Sequence, residues 1–318
     1  MLSAIAIFIV IFLIYLHWVE QYKTGEDLEI YEIDYSNIDH LQEVCKSKQP
    51  IIFEFSSIIS KLHFLNTITL DDLADKYGKM DIFIKDTDDY FATTITESER
   101  NIDSIPLSLD SSLKLLSTDT HSHYISEGNG EFINDTFLEK YYDSLHEYIK
   151  PSMTIHKQMD LCFGSKGSST PLRYNTDFSH FIYVPKGKLR VKMTPQKSKK
   201  YLHTIKDYFS YEFYSPVHCW NPQQEYSNEA EKIQFLDFDV YEGHMLFIPP
   251  YWWYSLQYEE EGTFFYSIKY NTIMNAVANS HNIGNYLYQQ YTTRTKPAKV
   301  LKIEEREQKT EEITVPIL

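Results

Sequence analysis

Cysteine is almost missing from this chain: Cys45, Cys162 and Cys219 are the only three in 318 residues. Any disulfide scheme leaves one over, and they lie too far apart for a C-x-x-C site, which excludes a disulfide framework as the organising principle. Positive charge is short as well. Lys plus Arg total 30 against 45 for Asp plus Glu, a net of −15. The deficit is local, because residues 1–150 hold 27 acids and 11 bases while residues 151–318 hold 18 and 19. A first half of that sign does not bind nucleic acid, and nucleic acid is excluded as a partner. Disorder is excluded by an apolar content of 42% against 24% charged residues. Glycine is scarce, ten in all, whereas tyrosine reaches 26. That usage, with abundant Ile, Asp and Ser, suits an AT-rich genome such as that of a large DNA virus or a protist.

One long apolar run opens the chain. Residues 2–19 contain no Asp, Glu, Lys or Arg, and eighteen helical residues reach about 27 Å, enough to cross a thin hydrocarbon core. Tyr15 and Trp18 stand at its exit, where amphipathic rings favour the membrane interface. The run is longer than a signal-peptide core, and His17 to Tyr22 offer no small-residue cleavage site. The expectation is a retained single-pass anchor in an endomembrane or virion membrane. Its orientation is unspecified, since Lys23 is the only base in the flanks that the positive-inside rule counts.

Residues 20–30 read as an acidic stalk, 31–275 as one folded domain, and 276–318 as a polar tail. Ile51–Phe55 reads as a buried strand. Leu70, Leu73 and Tyr77 fall at helical spacing, and residues 137–148 repeat that pattern before Pro151. From 161 onward strands take over. Lys186, Lys188, Arg190 and Lys192 alternate with Leu189, Val191 and Met193, giving one wet basic face and one core face. Further strands are expected near 233–240, 245–249, 254–258 and 263–270. The fold class expected is mainly β with flanking helices, a double-stranded β-helix or jelly roll of the cupin kind.

Two segments carry a family resemblance. Phe163 to Asn175, with Gly164, Gly167, Thr170, Pro171, Leu172, Arg173 and Asn175, resembles the iron-binding G-x-x-G-x-x-T-P-L-H-x-D stretch of JmjC/cupin-like hydroxylases, the asparaginyl hydroxylases that inhibit the hypoxia factor among them. Val240 to Tyr254, containing Leu246-Phe247-Ile248-Pro249-Pro250-Tyr251-Trp252-Trp253-Tyr254, is similar to that family's P-G-D-x-L-F-I-P-P-x-W-W-H. The resemblance covers roughly residues 27–275. It implies a scaffold that in its active members holds Fe(II) on two histidines and a carboxylate and binds 2-oxoglutarate.

In this chain Arg173 stands at the first histidine position, Asn175 at the carboxylate and Tyr254 at the distal histidine. A guanidinium has no lone pair to give and repels a divalent ion. An amide is a weak neutral ligand, and one phenol does not make a triad. Leu189 occupies the position implied for the 2-oxoglutarate lysine. The expectation is therefore no metal, no cofactor and no catalytic residue, with Arg173 and Asn175 forming a buried polar plug beside a carboxylate counter-charge. Asp177, His180, His203, His218 and His244 show no metal-ligand spacing, and the histidines read as loop or surface groups. Tyr174, Trp252 and Trp253 are candidate cavity aromatics. Lys186, Lys188, Arg190 and Lys192 form a candidate docking face for an acidic partner. The resulting expectation is a membrane-anchored, catalytically inactive interaction or structural module with protein partners. The alternative is an Fe(II)/2-oxoglutarate oxygenase with a non-standard metal site.

Overall fold

The computed structural model describes residues 2–56, 58, 68–92 and 102–292. Its helices are α1 (Leu2–Gln21), α2 (Ile38–Cys45), α3 (Leu70–Tyr77), α4 (Asp88–Phe91), α5 (Leu109–Thr118), α6 (Gly130–Asn134), α7 (Leu138–Ile149), α8 (Ser227–Ala230), α9 (Ile273–Ala278) and α10 (Ser280–Thr292). The strands of the first half are β1 (Tyr31–Glu32), β2 (Ile51–Glu54), β3 (Asp81–Asp86), β4 (Ser104–Ser108) and β5 (Tyr124–Ser126). Those of the second half are β6 (Thr154–Gly164), β7 (Arg173–Tyr174), β8 (Ser179–Lys186), β9 (Lys188–Thr194), β10 (Ile205–Asp207), β11 (Glu212–Tyr214), β12 (Leu236–Tyr241), β13 (His244–Ile248), β14 (Trp253–Tyr258) and β15 (Phe264–Thr272).

These build a mixed α/β fold of two sheets with flanking helices. A nine-stranded sheet runs β1-β2-β13-β8-β15-β6-β5-β3-β4, and a six-stranded sheet runs β10-β11-β7-β14-β9-β12. From β6 the chain crosses repeatedly between them: β6, β8, β13 and β15 belong to the larger, β7, β9, β12 and β14 to the smaller.

Period-two alternation decides what each strand buries. On β15, Phe264, Tyr266, Ile268 and Tyr270 join Phe181 and Tyr183 of β8 in a core shared with Leu41 of α2, Leu73 of α3 and Leu145 of α7. The opposite faces give Phe265, Ile182 and Val184, which meet Leu189, Val191, Met193, Tyr254 and Leu256 of the smaller sheet in a second core between the sheets. The basic run expected as one strand is split at Gly187, whose φ of +84° makes the turn and where a Cβ would meet Thr263 Oγ1 at 2.2 Å. The helix read from Leu70, Leu73 and Tyr77 starts on a capping box. Asp72 N donates to Thr69 Oγ1 (3.2 Å) and Thr69 N donates to Asp72 Oδ2 (3.0 Å), an arrangement worth about 1 kcal/mol.

Two boundaries differ from the sequence reading. Residues 20–30 are not a free stalk: Gln21 is buried, Gly25 N donates to Lys48 O (3.2 Å) and Lys197 Nζ donates to Glu26 O (2.9 Å). The segment from 276 begins not as tail but as the end of α9 and all of α10. Thr272 caps α9 by accepting from Asn275 N (3.3 Å), so the helix follows β15 directly. The rest of the polar tail, from residue 293 on, lies outside the described residues. Among the described residues no helix is long and apolar enough to cross a membrane. The backbone of α1 is helical for 20 residues, a length of about 30 Å.

Candidate functional site

β7 and β14 are antiparallel neighbours with Arg173 directly opposite Tyr254 and Tyr174 opposite Trp253. Just past β7, Asn175 O accepts from Tyr251 N (2.9 Å), which ties the loop to the start of β14. Arg173, Asn175 and Tyr254 thereby come together on the wall of one cavity of about 780 Å³ between the sheets. β6, β8 and β15 of the larger sheet supply the facing wall, with Asp160, His180, Ser267 and Lys269 among its polar groups.

The cation among the three is neutralised by a carboxylate. Arg173 Nη1 donates to Glu127 Oε2 (2.8 Å), and Nη2 donates to Glu127 Oε1 to complete a two-pronged pair. Both side chains are largely out of solvent, at 14% and 6% exposure. Burial pushes the Glu127 carboxyl up, but the guanidinium overrides it and holds the group below the usual carboxylate range. Burial likewise opposes the charge on Arg173, and Glu127 more than restores it. A second pair stands beside the first. Lys85 Nζ donates to Glu212 Oε1 (2.7 Å) and Tyr90 OH donates to Glu212 Oε2 (2.9 Å). Burial raises the Glu212 carboxyl, yet Lys85 and Arg173 bring it down to about 2.

The other two positions belong to a neutral hydrogen-bond chain. Asn175 Nδ2 donates to Tyr254 OH (3.0 Å) and lies 2.8 Å from His180 Nδ1. An amide nitrogen only donates, so this assignment makes His180 Nδ1 the acceptor and puts its proton on Nε2, which faces Ser267 Oγ at 2.8 Å. Burial first, then Lys269 and Arg173, hold the imidazole well below its usual range and therefore neutral.

These residues do not fit a ferrous ion. One position is a paired guanidinium, one is an amide, and the imidazole nearest to them uses its lone pair on Asn175. Among the described residues, three potential ligand atoms converge within 4.8 Å only at Asp86, Asp88 and His123, where His123 Nδ1 already lies 3.5 Å from Asp88 Oδ2. What the cavity offers instead is a set of fixed donors and acceptors around charges that compensate one another, which suits binding of a polar molecule.

The basic face lies where the alternation put it, but its charges are spoken for. Lys186 pairs with Glu242 (3.5 Å), Lys188 with Asp239 (2.9 Å) and Arg190 with Asp237 (2.8 Å), while Lys192 Nζ donates to Cys219 O (3.1 Å). Leu189 is fully buried between the sheets. Of the three candidate cavity aromatics, Tyr174 does line the cavity, whereas Trp252 and Trp253 do not. Trp253 points away from Tyr254 into a third core with Tyr174 and Phe213. Trp252, one residue before β14, packs between the sheets and donates from Nε1 to Lys48 O (3.1 Å). His180, expected in a loop or at the surface, is instead 2% exposed in the centre of the site.

The acid side of the stability curve follows from these groups. His180 and His146 take up a proton near pH 6.5 when unfolded but resist it when folded, His146 down to about 4 through burial and then Lys157. Their stabilisation is complete above about pH 6.5 and is lost as the pH falls below it, for His146 toward about 4, by up to about 1.4 kcal/mol per pH unit per group. Glu127 and Glu212 work in a lower window: their contribution is present above about pH 4.5 and is lost as the pH falls below it, for Glu212 toward about 2. Melting temperature should therefore drop between pH 7 and 4.5, and His146→Gln should flatten that slope. A flat profile in the unmodified chain would contradict the neutral assignment of both rings.

No protein-family model matches the chain, and no curated protein matches it.

Proposed function

We propose that this protein is a membrane-anchored, non-catalytic cupin-like module, a degenerate relative of the JmjC-type hydroxylases that binds partners and does not oxidise them. The observation that carries this reading is the largely buried Arg173–Glu127 pair on the wall of the cavity. It puts a permanent cation, already compensated, where the resemblance calls for a metal-binding imidazole. A jelly-roll ancestry is supported by the repeated crossing of β6 to β15 between the two sheets and by the cross-strand pairing of Arg173 with Tyr254. The anchor through residues 2–19 is supported by the uncharged sequence, by the 20-residue helix, and by the exposure of Ile5, Ile7, Phe8, Ile11, Phe12 and Ile14 on it. Large apolar side chains in such number do not remain in water without a covering phase.

With its charges largely paired internally, the basic face of β9 is a weaker candidate for docking than the cavity itself. The partner this module engages is a protein at an endomembrane or virion membrane. Two measurements test the reading together. The full chain should stay in the pellet after alkaline carbonate extraction, while a chain beginning at Glu20, which keeps the Gln21 and Tyr22 contacts, should be soluble. The purified protein supplied with Fe(II) should not consume 2-oxoglutarate. Release of the full chain by carbonate would remove the anchor, and steady turnover of 2-oxoglutarate would establish the oxygenase.

A further inference from the structure

We infer that α9 and α10 lie on the bilayer surface beside the anchor, so that the cavity opens toward the lipid headgroup layer. This rests on α1 being a membrane span. The end of that helix is bonded to α9: Tyr22 OH donates to Ala278 O, and Trp18 Nε1 donates to Tyr22 OH (3.4 Å). The Tyr22 ring also stacks on Tyr251, centroids 6.2 Å apart. Tyr22 is three residues past Val19, about 5 Å along the helix axis, and a headgroup layer is of similar depth. The carbonyl of Ala278 is fixed at that level.

The chain around this point has the character of an interfacial surface. From Tyr270 to Thr293 there is no Asp, Glu, Lys or Arg, although the whole chain is 24% charged. On α9, Ile273 and Val277 are one turn apart and both exposed. On α10 the exposed stripe is His281, Gly284, Leu287, Tyr288 and Tyr291, at i, i+3, i+6, i+7 and i+10, with Tyr288 71% and Tyr291 89% exposed. Tyrosine on an uncharged helix face is the side chain that partitions to a membrane interface. The other face of α10 belongs to the cavity. Ile283 and Tyr286 line it, the Tyr286 ring meets Tyr211 edge-on at 5.6 Å, and Gln290 Nε2 donates to Phe209 O (2.8 Å). The same helix thus lines the cavity on one face and forms the surface next to the anchor on the other, and on this placement a ligand entering past α10 comes from the lipid–water boundary.

The full chain can be tested in vesicles. The native cysteines are all buried, so Val277→Cys and Tyr288→Cys can each be labelled with an environment-sensitive fluorophore, with the exposed Tyr241→Cys on β12 as control. In phosphatidylcholine vesicles carrying a nitroxide near the headgroup, labels at 277 and 288 should lose most of their emission and the label at 241 should keep it. Flotation of the same samples reports the anchor separately. Chains that float with 277 and 288 unquenched overturn this placement and leave the anchor standing. Equal quenching at all three positions overturns it as well, since the contact would then be unspecific. Chains that do not float overturn both.

Discussion

Glu127→Ala should lower the stability of the domain by about 3–5 kcal/mol, because it leaves a guanidinium inside the protein without its counter-charge. Arg173 loses both carboxylate bonds at once, and Glu212, the other acid nearby, is already engaged by Lys85 and Tyr90. The double variant Glu127→Leu/Arg173→Met removes both charges and should recover most of the loss, since a buried pair contributes little over an apolar replacement of similar volume. Urea unfolding followed by tryptophan fluorescence checks both. A single variant as stable as the parent would show that Arg173 has water or another partner to turn to. The plug would then not be a closed unit.

The second large effect is a gain. Arg173→His, Asn175→Asp and Tyr254→His together should give a chain that binds a divalent ion at micromolar concentration or below. Residues 173 and 254 are directly opposite on paired strands, and Asn175 Nδ2 is already 3.0 Å from Tyr254 OH. Removing the guanidinium also frees the Glu127 carboxylate, which adds negative charge beside the new ligands. The triple variant without metal should be less stable than the parent for that reason. Metal at a hundred times its dissociation constant should return about 2.7 kcal/mol, seen as a rise in melting temperature with added Mn(II) or Co(II). Arg173→His alone should gain little, because an amide and a phenol remain. A folded triple variant without metal affinity would mean that the three positions do not converge when substituted.

The parts of this fold that sequence reveals are those in which one segment decides its own fate. β9 and α3 follow from spacing within a few residues, and Leu189, Val191 and Met193 face the core as alternation requires. The positions Arg173, Asn175 and Tyr254 stand out because each sits inside a locally recognisable motif. Their partners do not. Glu127 is 46 residues from Arg173, and Lys85 is 127 from Glu212, so nothing near either base marks the acid that meets it. His180 is hidden for a different reason: it lies on β8, whose other residues are nearly all buried, and only the pairing of that strand decides which face sees the cavity. Period two already puts Trp253 and Tyr254 on opposite faces. The Asp237-Phe238-Asp239 alternation of β12 already carries the charges that reach diagonally to Arg190 and Lys188. α9 escaped because its six residues are too short a run to show a period, and α10 because its uncharged, Asn- and Tyr-rich sequence has no charged face.

If a compensated cation stands in for the metal, calorimetric titration of the purified chain with Mn(II), in the presence and absence of 2-oxoglutarate, will register it. The unmodified protein should take up neither ion nor 2-oxoglutarate, while the triple variant takes up the ion. One divalent ion bound per unmodified chain, and lost on His180→Ala or Asp177→Asn, would mean that this cavity is a metal site.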